Sequence, residues 1–373
     1  MGSASGLHLR LAAWMGRRGQ LASAFALALA AVAVAWVGIA EVEAGRLLPE
    51  PRSEMLEREA LKQSVHALFD RNDFAALERL AGDFRNSGAR TPSGIWKLTV
   101  FYTAFHDISA SIGATDDRGW QRFSAKLADW QGQFAEKPTA LVVQGIALKS
   151  FAWSLRPRWI VLEASTGAAT KFQAALNNAR DMLDHAKSTA SADPHYYVLR
   201  ADLATALGEA PDQVMALTDE GRAKFPDYFA LDFSGLDYFG AGDGAAAPGP
   251  IEAMRVEAFA STAASKTGAD GGAARYARLY WHAYQAFYGN DLFRKSRVDW
   301  PRMRTGLGDI ALRYPVAWNV NNFAYFACLA GDRGTARRLI ASIAGRPPLE
   351  VWQSRAIFAG CRRWASLEPQ SRR

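Results

Sequence analysis

The sequence predicts an all-α protein behind one N-terminal apolar helix. Beyond Ala44, nearly every segment with a regular apolar pattern has the helical period of about 3.6 residues. No run alternates apolar and polar residues for long enough to predict a half-buried strand. The chain has enough apolar material to fold, because 49% of its residues are apolar and only 22% are charged.

The first feature along the chain is the uncharged segment from Leu21 to Ala40. As a helix its twenty residues would extend about 30 Å, the thickness of a bilayer's hydrocarbon core. Arg17 and Arg18 precede the segment, and Lys and Arg tend to remain in the cytoplasm. We therefore expect residues 1–20 in the cytoplasm, a single span at 21–40 in the inner membrane of a bacterium, and the remainder in the periplasm.

The same features are also typical of a secretory signal. Cleavage after Ala44, at Val42-Glu43-Ala44, would release the domain into the periplasm. The apolar region of a signal usually has about 7 to 15 residues, so the longer run favours an uncleaved anchor.

Four apolar stripes at helical spacing predict helices in the exported part. The stripes are Phe74, Leu77, Leu80, Ala81 and Phe84; Phe172, Leu176, Ala179 and Leu183; Tyr276, Tyr280, Ala283 and Phe287; and Met303, Leu307 and Ile310. Thr170 and Gln173 have capping-box spacing and predict the start of the second helix. Pro301 suits the first turn of the fourth.

Two stretches of similar pattern predict a repeat. Residues 194–226 and 315–347 each run from one proline to another, with an Ala-rich first helix, a glycine turn at Gly208 or Gly331, and a second helix. A fragment from Asn72 to Leu77 matches the turn and second helix. The pattern resembles the tetratricopeptide repeat, which implies stacked helical pairs, as in an α-solenoid.

A Gly/Ala/Pro-rich segment divides the exported part. The run from Gly240 to Pro250 has no helical period and predicts a linker over residues 239–250. We therefore expect one repeat-like lobe over residues 45–238 and a second over 251–373.

Several phrases resemble the uncharacterised bacterial domain-of-unknown-function family 4034. They are the helix pair from Phe69 to Phe84, Arg90-Thr-Pro-Ser-Gly-Ile-Trp-Lys-Leu98, Asp193-Pro194, and Asn321-Asn-Phe-Ala-Tyr-Phe-Ala-Cys328. The similarity covers the chain from about Leu61 to Trp352. It implies a tetratricopeptide-like fold and no particular activity.

Charge and cysteine content limit the partners. The net charge is +7, but the basic residues are scattered among 37 acidic ones, so we expect no nucleic-acid partner. Cys328 and Cys361 are too few for a disulfide framework. We expect two buried, unpaired thiols, with a disulfide as the alternative in an oxidising compartment.

No known catalytic or cofactor-binding motif is present, so no small-molecule cofactor is predicted. Asp181 and His185 lie one helical turn apart and could supply two metal ligands, but a surface ion pair is commoner at this spacing. We expect no metal site.

The best candidate for binding is a groove lined by first helices of the repeats. With the repeat turns placed at Gly208 and Gly331, the groove of the later copy is lined by Asn321, Tyr325 and Trp318. The groove of the earlier copy is lined by His195 and Asp202. The alternative is that Asn321 bridges helices through buried hydrogen bonds.

These observations favour a non-enzymatic binding or scaffold module that recognises a protein or peptide. The alternative is a cell-envelope hydrolase with a His/carboxylate site between the lobes. Such a site would bring together at least two of His195, Asp202, Asp232, Asp237, His282 and Asp291. A structural subunit of an envelope complex, with an apolar patch around Trp281, is a third possibility.

Overall fold

The computed structural model describes residues 54–113, 115–155, 166–240, 248–267, 271–343 and 347–367. Within these ranges the chain is almost entirely helical, with a single antiparallel bridge between Arg90 and Trp96 and no strand. The all-α prediction is confirmed for them. None of the described helices is both long and apolar enough to cross a bilayer. The predicted anchor, the cleavage site at Ala44 and most of the predicted linker lie outside the described residues.

The helices follow one another with short connections. They are α1 Glu54–Asp70, α2 Phe74–Ser87, α3 Lys97–Ser111, α4 Asp117–Gln133, α5 Pro138–Ser154, α6 Thr166–His185, α7 Lys187–Ala190, α8 Pro194–Leu207, α9 Pro211–Lys224, α10 Ala230–Gly240, α11 Pro250–Ser265, α12 Gly272–Ala283, α13 Leu292–Lys295, α14 Trp300–Arg313, α15 Ala317–Leu329, α16 Arg333–Ser342, α17 Leu349–Trp352 and α18 Arg355–Ser366. A π-helical turn, Tyr284–Tyr288, and a 3-10 turn, Gly289–Asp291, separate α12 from α13.

Packing follows the order of the chain. Helices α1, α3, α5, α8, α10 and α12 form a row in which each packs against the next. Helices α6, α9 and α11 each pack against two consecutive members of this row. Most contacts therefore join helices that are close in sequence, and each helix buries its apolar stripe between its neighbours.

The apolar side chains form two clusters. The first extends from Val65 to Leu231, and the second from Leu236 to Ala365. Phe233 packs against both, so the change from one cluster to the other falls within α10. The division at residues 239–250 stays a prediction.

The predicted repeat turns share one backbone conformation. Gly208 and Gly331 adopt positive φ angles of 67° and 74°, and Asn72 adopts 59° at the matching place. After the turn, the side chains of Asp73 and Asp332 accept hydrogen bonds from the first turn of the following helix. The predicted glycine turns are confirmed, and Asn fills the same role because it tolerates the left-handed region.

The predicted capping of the second striped helix is wrong. Helix α6 begins at Thr166, so Thr170 and Gln173 lie inside it and do not cap it. The preceding residues include Ala168 and Ala169, and alanine extends a helix readily.

The two cysteines are not unpaired thiols. Cys328 of α15 and Cys361 of α18 form a disulfide, with their Cα atoms 6.0 Å apart. This separation is usual for disulfides. The bond depends on α18 folding back onto α15 and α16, a tertiary contact that helical periodicity does not predict.

We expect Gly331→Ala to lower the free energy of unfolding by about 1 kcal/mol, because it places a Cβ on a left-handed backbone. A Cβ at Gly331 would meet no atom within 4 Å, so the loss has no steric component. The matched control is Gly360→Ala inside α18, where a Cβ also meets nothing. It should stabilise the chain by roughly 0.5 to 1 kcal/mol, because Gly is a poor helix former. Urea titrations measure both, and a shift of equal sign in the two variants would contradict the turn geometry.

Candidate functional site

The five predicted groove residues fall into two groups. Trp318, Asn321 and Tyr325 lie on α15, against the second hydrophobic cluster. His195 and Asp202 lie on α8, whose apolar residues belong to the first cluster. The structure gives the two groups different surroundings and partners.

Tyr325 is part of a polar group that we call the amide–tyrosine cluster, comprising Tyr284, Asn290, Tyr325 and Gln353. The Tyr325 hydroxyl donates a hydrogen bond to Asn290 Oδ1 at 2.7 Å and accepts one from the Tyr284 hydroxyl at 3.1 Å. The Gln353 amide donates to Tyr284 at 3.1 Å. Burial raises the pKa of Tyr325, so its hydroxyl is a neutral donor and acceptor at physiological pH.

Three residues of the cluster lie in segments of irregular backbone. Tyr284 begins the π-helical turn, Asn290 lies in the 3-10 turn, and Gln353 has a φ of 59°. Non-glycine residues with positive φ and π-helical turns are concentrated at functional sites. Asn290 and Gln353 are exposed, whereas Tyr325 is buried beneath them. The cluster therefore presents uncharged amide groups to solvent over a buried hydroxyl.

Asn321 supports this cluster from behind. It is buried, its amide donates to the Ala317 carbonyl at 2.8 Å, and its Oδ1 accepts from Trp352 Nε1 at 2.7 Å. The Trp352 ring in turn packs edge-on against Tyr325, with centroids 5.5 Å apart. Asn321 thus bridges α15 and α17 through buried hydrogen bonds, which is the alternative to a place in the groove. The partly buried Trp318 accepts a hydrogen bond from another buried amide at its carbonyl.

His195 lies in a buried polar network of the first cluster. Its Nδ1 lies 3.0 Å from the Tyr228 hydroxyl, and its ring stacks on Tyr102 with centroids 4.4 Å apart. Burial lowers the pKa of His195 well below its usual value, so the ring is neutral. Its Nε2 has no hydrogen-bond partner among the described residues.

Asp193 is the anion of the same network. From the sequence it was named only as part of a motif, and this role was not predicted. Its carboxylate accepts from Arg85 Nε at 2.7 Å, from the Tyr102 hydroxyl at 2.6 Å and from the His195 backbone N–H at 2.8 Å. The partners come from α2, α3 and α8, so a buried charge is fully compensated across three helices. No local pattern could have indicated the pairing with Arg85, 108 positions away.

Asp202 lies at the edge of this network and pairs with Lys149 of α5. His106 of α3 lies close to His195, with ring centroids 6.3 Å apart. Burial, reinforced by the positive charge of Lys149, lowers the pKa of His106 to about 4. This edge of the first cluster therefore combines one ion pair with two neutral histidines.

Of the six candidate residues for a hydrolase, the structure brings His282 and Asp237 together. His282 and Asp237 are the only two joined by a hydrogen bond in the described part of the chain, at 2.6 Å. Asp232 instead pairs with Arg222 and Arg275.

The remaining titratable candidates have ordinary partners. Asp291 pairs with Arg294 and Lys295 of the following turn. Asp181 pairs with Arg180 next to it. No group of three His, Cys, Asp or Glu side chains among the described residues is placed to hold a metal ion.

We expect folding stability to fall on acidification in part through His106. The unfolded residue takes up a proton near its usual pKa of 6.5, whereas the folded one does so only at about 4. Between these values the unfolded state binds more protons, so stability falls as the pH is lowered through this range. The loss from pH 7 to 5 should be about 2 kcal/mol. His106→Gln should flatten that part of the curve in urea titrations, and an unchanged slope would contradict the buried, neutral state.

Comparison of the chain with protein-family models, with curated proteins and with solved structures found no match in any of the three. The resemblance to the domain-of-unknown-function family 4034 therefore stays a prediction.

Proposed function

We propose that this chain is a non-enzymatic binding or scaffold module that recognises a protein or peptide through the amide–tyrosine cluster. In this proposal an uncleaved apolar segment, Leu21 to Ala40, tethers the module to the bacterial inner membrane and the helical domain lies in the periplasm. Release into the periplasm after Ala44 is the alternative topology.

The helix packing supports a tetratricopeptide-like arrangement. In such folds a first helix packs against both its partner and the first helix of the next pair. The row from α1 to α12, with α6, α9 and α11 between its consecutive members, has this pattern of contacts. The turn conformation shared by Asn72, Gly208 and Gly331 recurs at the expected positions. Stacked pairs of this kind usually bind extended segments of other proteins.

One observation carries the functional proposal: a hydrogen-bonded set of uncharged donors and acceptors on strained, exposed backbone. Side-chain amides and hydroxyls match the N–H and C=O groups of a peptide main chain. Asn290 and Gln353 each expose a side-chain amide while Tyr284 and Tyr325 hold them in place. The arrangement is preorganised, which lowers the entropy lost on binding.

Cross-linking tests this proposal. A photoreactive residue at Leu349, one turn before Gln353 and 49% exposed, should give a reproducible protein adduct when the full chain is expressed in a bacterium. Tyr325→Phe removes one buried hydroxyl and should cut the adduct at least tenfold, while costing only about 1 kcal/mol of stability. The same photoreactive residue at Ile251, 55% exposed on α11, is the control.

Equal adducts at Leu349 and Ile251, or an adduct that Tyr325→Phe leaves unchanged, would argue against the cluster as a recognition site. A large loss of folding stability in Tyr325→Phe would instead show that the hydroxyl is structural. Circular dichroism of each purified variant separates these outcomes.

The hydrogen bond between His282 and Asp237 favours hydrolysis as the second candidate. A carboxylate that orients an imidazole is the arrangement found in general-base catalysis. The His282 ring also stacks on Phe233, with centroids 4.7 Å apart. Under this alternative, hydrolysis of chromogenic esters by the full chain should fall about 100-fold or more in His282→Gln. Unchanged or absent hydrolysis excludes this pair as a catalytic base for such substrates.

A further inference from the structure

A cleft of about 540 Å³ opens beside α2 in the first lobe. One wall is a face of α2, and the opposite wall is formed by the α4–α5 connection and the start of α5. The side chains that determine its chemistry are Glu78, Arg79, Arg85, Phe134, Glu136 and Lys137. Its volume lies within the range of roughly 300 to 1,000 Å³ typical of small-ligand pockets.

Arg85 brings a fixed guanidinium to this cleft. Its Nε and Nη2 contact Asp193 Oδ2 at 2.7 and 2.6 Å, and its Nη2 also donates to Thr139 Oγ1 at 3.0 Å. These bonds hold the planar group in one orientation. The third nitrogen, Nη1, takes no part in these three contacts, so it can donate to a ligand.

Two further cations line the rim. Arg79 and Lys137 are exposed and form no ion pair within the described part of the chain. Glu136 is the acidic residue of the rim, and it too is exposed. The rim therefore carries two positive charges and one negative charge, and Arg85 adds a third positive charge that Asp193 offsets.

Glu78 forms the acidic part of the floor, and hydrogen bonds within the protein engage its carboxylate. Its two carboxylate oxygens accept from Trp130 Nε1 at 2.9 Å and from Thr139 Oγ1 at 2.7 Å. Burial raises the pKa of Glu78 despite these hydrogen bonds. Because both oxygens are engaged by the protein, Glu78 shapes the floor, and the cations of the cleft are the groups that can bind an acidic ligand.

We propose that this cleft binds a small organic anion that carries carboxylate or phosphate groups. Arg85 Nη1, Arg79 and Lys137 would bind its acidic groups, and Phe134 would cover its apolar part. Arginine binds both kinds of anion with fixed geometry because its guanidinium is planar and always charged. This site is separate from the amide–tyrosine cluster and does not depend on the function proposed above.

Gly82 makes a sharp test possible. It lies in the interior of α2 and lines the cleft, and a Cβ built there meets no atom within 4 Å. Gly82→Gln should therefore fill the cleft without removing a charge or an existing contact. The helix should tolerate it, because Gln is a better helix former than Gly. Gly360→Gln is the matched control, since it makes the same change in open space on α18.

The experiment is calorimetric titration of the full chain with citrate, succinate, inorganic phosphate and inorganic pyrophosphate. At least one of these anions should bind saturably, with an affinity that Gly82→Gln lowers at least tenfold and Gly360→Gln leaves unchanged. Arg79→Gln should weaken binding as well. Nonspecific attraction to a basic protein would be equal in the two glycine variants, because neither changes the net charge.

No saturable binding of any of the four anions up to roughly 10 mM would overturn the proposal. Equal affinity in wild type and Gly82→Gln would do the same, because binding would then lie outside the cleft. Thermal unfolding of both variants shows that each is folded before it is titrated. Failure of this site would leave the cross-linking result at Leu349 unaffected, so the two proposals are tested separately.

Discussion

The Asp232 carboxylate joins the two halves of the chain. It accepts from Arg222 Nε at 2.5 Å and from Arg275 Nη1 at 2.7 Å, and all three side chains are buried. Arg222 lies on α9 before the change between hydrophobic clusters, whereas Arg275 lies on α12 after it. A buried charge without its partner is strongly destabilising, so these bonds fix α9, α10 and α12 to one another. Asp232 is therefore a structural residue and not a free catalytic carboxylate.

The loop between α2 and α3 reinforces this junction. The Ser93 carbonyl accepts from Asn319 Nδ2 at 3.2 Å and from Arg278 Nη2 at 3.4 Å, while its N–H donates to the buried Glu54 at 2.9 Å. The next residue, Gly94, has a φ of 92°, and a Cβ there would lie 2.5 Å from Arg278 Nη2. Only glycine satisfies both the backbone angle and this close approach. Residues far apart in sequence thus meet at one short loop.

Local features were predictable because they depend on neighbouring residues. Helical periods placed Leu77, Tyr276 and Leu307 in the core, where they lie, and the left-handed turns at Gly208 and Gly331 follow from the freedom of glycine. These predictions depend only on the spacing of apolar residues along a helix and on the residue that follows the end of the helix.

Features that depend on tertiary contacts were not predictable in the same way. Helix α15 is apolar nearly all round, so its sequence cannot distinguish a groove-facing Asn321 from one that bonds to Trp352. Asn290 and Gln353 show no sequence signal, because their role arises where the chain returns to Tyr325. The disulfide also follows from such a return.

The two buried carboxylates Asp232 and Asp193 differ in where their arginine partners lie. Asp232 binds two buried arginines and joins α9, α10 and α12, so its bonds serve the fold. Asp193 also pairs with an arginine, but Arg85 lines a cleft and keeps one nitrogen available. The same kind of ion pair thus joins three helices at Asp232 and orients an arginine beside a cleft at Asp193. A search for catalytic signatures misses this distinction, because it depends on whether the paired arginine lines a cleft, as Arg85 does, and not on which residues are present.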